Sequence, residues 1–324
     1  MTAIAQTGRA TDPGRKRRRN EDAYVVEPPL FAVADGMGGA QAGELASSLA
    51  AQAVSEEDAG GGGEERVVEL IQQANRRVYQ RSSEDAAVSG MGTTMTVALV
   101  EDGVVSFGHV GDSRAYLIRD GRLEQLTEDH SLVAELVRSG KLSPEEADAH
   151  PQRSVITRAL GTDPDVDVDT FSIPTRAGDL FMLCSDGLTS MVDDERILRE
   201  VERQRSDLNA AAKALVRAAN KAGGEDNITI VFFEIGQAEE PLEETARYPV
   251  LDEREPDEED TLDEIDRVPA VDTMVVPPEE AQKFARAAEP GHGRRTWLRT
   301  WSARIVLLLV LLALAVFIVW TIRR

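Results

Sequence analysis

Positive charge is scarce in this 324-residue chain: 36 Lys and Arg face 58 Asp and Glu, for a net charge of −22. That balance argues against nucleic acid as a partner, because such binding rests on basic patches that neutralise phosphates. Cysteine is nearly absent. The single Cys184 rules out an intramolecular disulfide framework and suits a reducing compartment. Ser190 stands six positions after it, where a cysteine-phosphatase loop needs arginine. The four histidines, His109, His130, His150 and His292, have no zinc-site spacing. No nucleotide-cradling loop is present either. "DGMGGAQAG" carries Gln41 and "SGMGTTM" carries Met95 where G-x-G-x-x-G needs its last glycine, and G-x-x-x-x-G-K-[ST] does not occur. The first residues lack a basic segment followed by an apolar one, so no signal peptide is expected.

What is present suffices for a sizeable core, since 42% of residues are hydrophobic. Apolar spacing predicts helices over 42–54, 65–81, 131–139, 194–204 and 208–222. It predicts strands over 30–34, 93–100, 104–109, 115–119, 166–173, 180–184 and 227–235. Asp102-Gly103 and Asp120-Gly121 lie between strand-like runs and predict hairpin turns. Antiparallel hairpins with paired helices predict an α+β fold for residues 1–235, not an alternating parallel array.

Composition then changes. Between Glu239 and Asp266 stand 14 acidic residues and 2 basic ones, and prolines recur from Pro241 to Pro278. Residues 236–293 therefore read as a disordered acidic linker. Residues 294–324 read as a basic juxtamembrane segment and a transmembrane helix over 305–322, "IVLLLVLLALAVFIVWTI". At 1.5 Å per residue that run spans about 27 Å, close to the hydrocarbon thickness. Trp297, Trp301 and Trp320 lie at its ends, as interfacial tryptophans do. Arg294, Arg295, Arg299 and Arg304 precede it and only Arg323 and Arg324 follow. The excess places the N-terminal side in the cytoplasm, with a single pass through the inner membrane.

The stretch "ADGMGGAQAG" raises the question of function. A buried strand ends on Asp35, and three of the next four residues are glycine. An unpaired buried carboxylate costs several kcal/mol. Asp35 has counterparts in Asp112 of "HVGDSRAY", Asp186 of "LCSDGLTS" and Asp226 of "GGEDNITIVFF", each beside a strand-like run. One such aspartate alone is most simply a turn residue or helix cap. Four at strand ends can converge on one side of a sheet, and an all-oxygen set selects hard cations such as Mg²⁺ or Mn²⁺. Glycine at position 36 would let a backbone carbonyl face the same ions.

The ordered set "RRRNEDAY", "ADGMGG", "GMGTTMTVALV", "HVGDSRAYLI", "HPQRSVITRALG", "LCSDGL" and "GGEDNITIV" resembles the bacterial metal-dependent serine/threonine protein phosphatases of the PPM, or type 2C, family. The resemblance covers residues 5 to 235. It implies an α-β-β-α sandwich of two antiparallel sheets flanked by helices. It implies Mn²⁺ or Mg²⁺, two at the core and a third beside them. Asp35 would bridge two ions, Asp186 and Asp226 would complete the first site, and the Gly36 carbonyl would join the second. Glu21 and Asp22 would hold that site's waters, and Asp112 with Asp186 would hold the third ion. Arg17 matches the phosphate-binding arginine in G-x-x-R-x-x-N-E-D counted from Gly14, although Arg18 or Arg19 could take its place in so basic a run. Residues 129–162 would form the flap beside the site. Met37 stands where eukaryotic members carry a proposed general-acid histidine, which leaves that role unassigned.

The implied reaction is hydrolysis of phosphoserine and phosphothreonine in proteins by hydroxide between two dications, without a covalent enzyme intermediate. The implied partners are serine/threonine kinases and their substrates, met at the membrane. Two other readings, a non-catalytic phosphopeptide-binding module and a tail-anchored scaffold, need a lost metal aspartate or an idle one. All four are present.

Overall fold

Runs rich in Val, Ile, Leu and Phe become the strands, because β-branched and aromatic side chains fit a pleated surface buried on one or both faces. The computed structural model describes residues 2–38, 42–56, 62–236 and 274–275. All lie in the first of two units, Met1–Ala281 and Gln282–Arg324. The first half contains, in order, β1 (Ile4–Asp12), β2 (Asp22–Glu27), β3 (Leu30–Met37), α1 (Ala42–Glu56), α2 (Gly63–Glu84), β4 (Gly92–Thr93), β5 (Met95–Glu101), β6 (Val104–Val110), β7 (Arg114–Arg119) and β8 (Arg122–Gln125). The second half contains α3 (Leu132–Arg138), α4 (Pro144–Asp148), β9 (Val155–Ile156), β10 (Asp169–Pro174), β11 (Leu180–Cys184), α5 (Asp186–Thr189), α6 (Asp194–Arg203), α7 (Leu208–Ala222), β12 (Ile228–Ile235) and β13 (Met274–Val275).

Two sheets carry the architecture. One has the order β1-β12-β11-β7-β8, the other β10-β6-β5-β3-β2 with β4 beside β3. Their pairings are antiparallel. The sheets face each other across Phe31, Phe107, Phe181, Phe233, Val33 and Leu183. Phe31 stacks on Phe233 with ring centroids 4.2 Å apart. On the outer face of one sheet α1 and α2 bury Val54, Leu70 and Ile71 against Val97 and Leu99. On the other, α6 and α7 bury Ile197, Val201 and Leu215 against Met182 and Phe232. The expected α-β-β-α sandwich is therefore the one formed.

Both Asp-Gly pairs make the hairpin turns read from sequence. Asp102 and Gly103 have φ of 44° and 82°, Asp120 and Gly121 of 53° and 70°. Positive φ at both central residues is the type I′ geometry whose twist matches the flanking strands.

Several elements escape apolar spacing. β1 is an edge strand in which only Ile4 and Gly8 are buried, so its pattern is mostly polar. Gly8 is small because α7 crosses it: a Cβ there would lie 2.5 Å from the Leu208 Cβ. The strand predicted over 166–173 begins only at Asp169. Val166 is instead a buried loop residue whose carbonyl accepts from Gln72 Nε2 at 2.6 Å. Within the segment read as linker, β13 pairs in parallel with β9, Met274 beside Val155 and Val275 beside Ile156. The local sequence Val271-Asp272-Thr273-Met274-Val275-Val276 is its most β-prone stretch. The rest of that segment beyond Gly236, and the predicted span over 305–322, lie outside the described residues. Among the described residues no helix is long and apolar enough to cross a membrane.

Candidate active site

Asp35 sits in β3 directly opposite Asp22 of β2. Two carboxylates facing each other across an antiparallel pair repel, so the local pairing already asks for positive charge. Three backbone contacts fix the Asp35 peptide. Its N–H donates to Thr94 Oγ1 at 2.9 Å, and its carbonyl accepts from the Thr94 N–H and Thr93 Oγ1, each at 2.8 Å. Gly36 follows because α1 enters against it: a Cβ at Gly36 would lie 2.0 Å from the Gly43 carbonyl oxygen and 2.6 Å from that of Glu21. Gly38 has φ of 131°, a conformation that side chains rarely adopt. Gly36 and Gly38 therefore serve close backbone approach and a turn.

Asp186 and Asp226 come from the sheet that contains β11 and β12. Asp186 opens α5 just after β11, and Asp226 precedes β12. Asp112 lies in the loop between β6 and β7 and is 8% exposed. These carboxylates sense one another. Burial pushes Asp35 well above the ordinary carboxylate range, and Asp22, Asp186, Asp226 and Asp112 push it further. Asp186 is raised in the same way by burial, then by Asp112, Asp226 and Asp22. Asp22 and Asp112 are each raised to about 7, chiefly by burial, with Asp129 the next cause at Asp112.

Arg17 reaches this cluster. Its Nη2 donates to Asp226 Oδ2 at 2.8 Å, with side chains 16% and 22% exposed. Burial opposes its charge, but Asp226, Glu21 and Asp35 more than compensate and hold it above the usual arginine range. Of the other candidates in the basic run, Arg19 points to Glu44 at 3.5 Å on the surface. The structure thus brings Arg17 to the carboxylates.

Two residues that sequence reasoning missed hold the site together. Asn227 Oδ1 accepts from the Glu21 N–H at 2.7 Å, while its Nδ2 donates to the carbonyls of Pro13 and Arg19 at 3.0 and 2.9 Å. It therefore clasps the loop that carries Arg17 and ends at Glu21. Ser185 Oγ donates to Asp22 Oδ2 at 2.8 Å and accepts from the Thr229 N–H at 3.0 Å, tying the two sheets at the site. Each directly adjoins a singled-out aspartate in sequence, the one signal that pointed to it.

The segment 129–162 holds more structure than the one helix read from its spacing. It contains α3, capped by Ser131 Oγ on the Ala134 N–H, then α4 with a Ser143–Glu146 capping box, then β9. Ile156 and Ala159 of the flap pack on Met37. A cleft of about 970 Å³ runs along its α3 side, with Asp112, Asp186, Asp129, Arg114, Arg138 and Arg153 on its walls. Arg114 clamps Asp129 through both Nε and Nη2 at 2.9 and 2.7 Å, fixing the flap's first residue.

The donor set suits a hard dication. Asp22 Oδ1 and Asp186 Oδ1 are buried with no hydrogen-bond partner, a state that costs about 1–3 kcal/mol or more for a charged group. Carboxylates beside a glycine carbonyl are oxygen ligands only. Among the described residues no three acidic, His or Cys side chains form a ready-made cage for one ion. The carboxylates instead repel across shared space, which cations between them would relieve.

Residues 15–223 match the family described as Protein phosphatase 2C. The serine/threonine phosphatase stp of Listeria monocytogenes is 42% identical over 236 residues, covering 69% of this chain and 93% of that protein. The serine/threonine protein phosphatase PstP of Mycobacterium tuberculosis is 38% identical over 238 residues, covering 72% of this chain and 46% of that protein. Among solved structures, M. tuberculosis PstP/Ppp superposes with a TM-score of 0.68 at 37% identity, over 72% of this chain and all of that one. The catalytic domain of PstP in complex with 2 manganese ions gives 0.66 at 35% identity, over 72% of this chain and 99% of that one.

Proposed function

This chain belongs to the protein phosphatase 2C family, and from that premise we propose that the strand-end carboxylates and Arg17 form its catalytic centre. It is an enzyme, a protein serine/threonine phosphatase. One observation carries the proposal: Arg17, the spacing match for a phosphate ligand, lies 2.8 Å from Asp226 in a cluster of mutually repelling carboxylates.

Asp35, Asp186 and Asp226 would hold one ion, and Asp35 with the Gly36 carbonyl a second. Glu21 and Asp22 would act there through water, and Asp112 with Asp186 would take a third. Mn²⁺ fits this donor set, as does Mg²⁺. Bound dications supply a deprotonated water near neutral pH and neutralise phosphate charge. The chain's residues do the rest. Arg17 offers a planar guanidinium fork to the phosphate oxygens. Asn227 keeps Arg17's loop and Glu21 in register, and positioning of this kind is the larger part of phosphoryl-transfer catalysis.

The substrates we propose are phosphorylated kinases and kinase targets at the membrane. Residues 305–322 span the inner membrane once, and the catalytic domain lies in the cytoplasm. Support comes from the apolar length, the flanking tryptophans and the arginine excess on the N-terminal side. A linker of about 58 residues reaches roughly 40–45 Å even without charge repulsion, so the tethered domain meets membrane-bound partners at raised effective concentration.

Calorimetric titration with Mn²⁺ tests the centre. The native chain is expected to bind two ions tightly and a third weakly. Asp112→Ala should lose the weak ion and Asp35→Ala the tight pair. An unchanged isotherm for Asp35→Ala would remove the proposal. Protease treatment of spheroplasts tests the topology: digestion of the catalytic domain from outside would reverse it.

A further inference from the structure

One residue outside the proposed centre holds both polar backbone atoms of the residue that precedes Asp112. The His130 N–H donates to the Gly111 carbonyl at 2.7 Å, and His130 Nδ1 accepts from the Gly111 N–H at 3.0 Å. Gly111 has φ of 112°, and a Cβ there would lie 2.5 Å from the Thr94 side chain, so this turn tolerates no other residue. The second ring nitrogen is committed as well. His130 Nε2 lies 3.0 Å from Asp169 Oδ2. Because Nδ1 accepts, the proton resides on Nε2 and is donated to Asp169.

The chain of contacts continues into the flap. Asp169 Oδ1 takes Arg158 Nη1 at 2.5 Å, and the His130 carbonyl takes the Thr157 N–H at 2.8 Å. His130 is 5% exposed, and its ring lies 4.8 Å, centroid to centroid, from that of His109. His109 is fixed in turn, with Nδ1 2.9 Å from Thr96 Oγ1 and Nε2 3.1 Å from the Glu128 carbonyl. Thus one buried imidazole joins the Asp112 turn, the outgoing limb of the flap and the edge strand β10.

We propose that His130 is a positioning residue that sets Asp112 through Gly111 and sets the flap limb bearing Arg158 through Asp169. The inference rests on the reading of Asp112 as an ion ligand and extends it. His130 is not among the residues proposed to hold the ions or the phosphate. It acts by denying the Gly111 turn any alternative geometry, and it makes order in that turn and order in the flap depend on the same side chain. Outer groups that hold a ligand in place are worth about 10–100-fold in metal affinity.

The test uses the full chain in detergent, with three variants. H130F keeps a ring against His109 and removes both ring hydrogen bonds. H130N keeps an acceptor for the Gly111 N–H and loses the reach to Asp169. D169N keeps His130 and removes the charge that holds Arg158. Hydrogen exchange is read in the peptides spanning Gly111–Ser113 and Thr157–Arg158, with the β5–β6 hairpin as the fold control. Mn²⁺ binding is measured alongside. H130F is expected to speed Gly111 exchange and to weaken the weakest Mn²⁺ site about tenfold, with the hairpin unchanged. H130N should restore both most of the way. D169N should speed exchange around Thr157 and Arg158 and leave the Mn²⁺ isotherm in place. Native exchange and binding in H130F would overturn the proposal, and so would an H130N no better than H130F. An Asp112→Ala chain that still binds three ions would instead overturn the reading of Asp112, with Gly111 exchange left to decide for or against His130.

Discussion

Arg17 Nη2 and Asp226 Oδ2 lie 2.8 Å apart, although 209 positions separate them in the chain. The pair joins the loop between β1 and β2 to the turn before β12, so the arginine is aimed by the same carboxylate that would help hold an ion. Arg17→Ala should therefore raise KM for a phosphothreonine peptide by about tenfold, the value of one charged hydrogen bond. Arg19→Ala removes only an exposed 3.5 Å contact with Glu44 and should change KM little. Steady-state kinetics of the two variants decides the register. The reverse ranking would assign the phosphate contact to Arg19.

Asp35 illustrates a site built at the expense of stability. Its carboxyl is raised well above the ordinary range by burial and by four neighbouring carboxylates. In the metal-free protein the folded state holds protons that the unfolded chain has released, so ionisation of the cluster destabilises it as the pH rises. Asp35→Asn should raise the Tm of chelated protein at alkaline pH by a few degrees while abolishing turnover. Differential scanning calorimetry in chelator checks the sign, and a lower Tm would contradict it.

The same shifts set the pH dependence of ion binding. Asp22 and Asp112 are raised to about 7, so below that pH an incoming cation must displace protons. The Tm gained on adding Mn²⁺ should grow steadily from mildly acidic to mildly alkaline pH. Thermal scans with and without Mn²⁺ across that range measure it. A gain that is flat with pH would show that no protons on these carboxylates are displaced.

Asn227 offers a test of the scaffold. Its amide makes three hydrogen bonds, to the Glu21 N–H and to the Pro13 and Arg19 carbonyls. Asn227→Ala should cost about 2–3 kcal/mol and also raise KM, because the Arg17 loop loses its anchor. Denaturant unfolding gives the first quantity and kinetics the second. A stability loss with native KM would make Asn227 purely structural.

The parts legible in the sequence were those that local chemistry dictates. Asp102-Gly103 and Asp120-Gly121 can hardly be anything but hairpin turns, and α7 and β11 were read to the residue because their apolar spacing is uninterrupted. The aspartates were legible because each sets a charge at the end of an apolar run. Elements governed by partners were not. β1 is polar along most of its length and exists because β12 pairs with it. The two-residue β9 is specified by Ser131 and β13 rather than by its own pattern. Ser185 and His130 look like ordinary polar residues until the fold brings Asp22 and Gly111 to them.

The most direct test of the central claim is phosphate release from a phosphothreonine peptide by the full chain, followed as Mn²⁺ is returned after chelation, with Asp186→Ala in parallel. Asp186 carries a buried oxygen without a hydrogen-bond partner and a carboxyl raised by its acidic neighbours. The account predicts no release in chelator, recovery with Mn²⁺ for the native chain, and none at any Mn²⁺ concentration for the variant. Sustained release in chelator, or native turnover by Asp186→Ala, would contradict it.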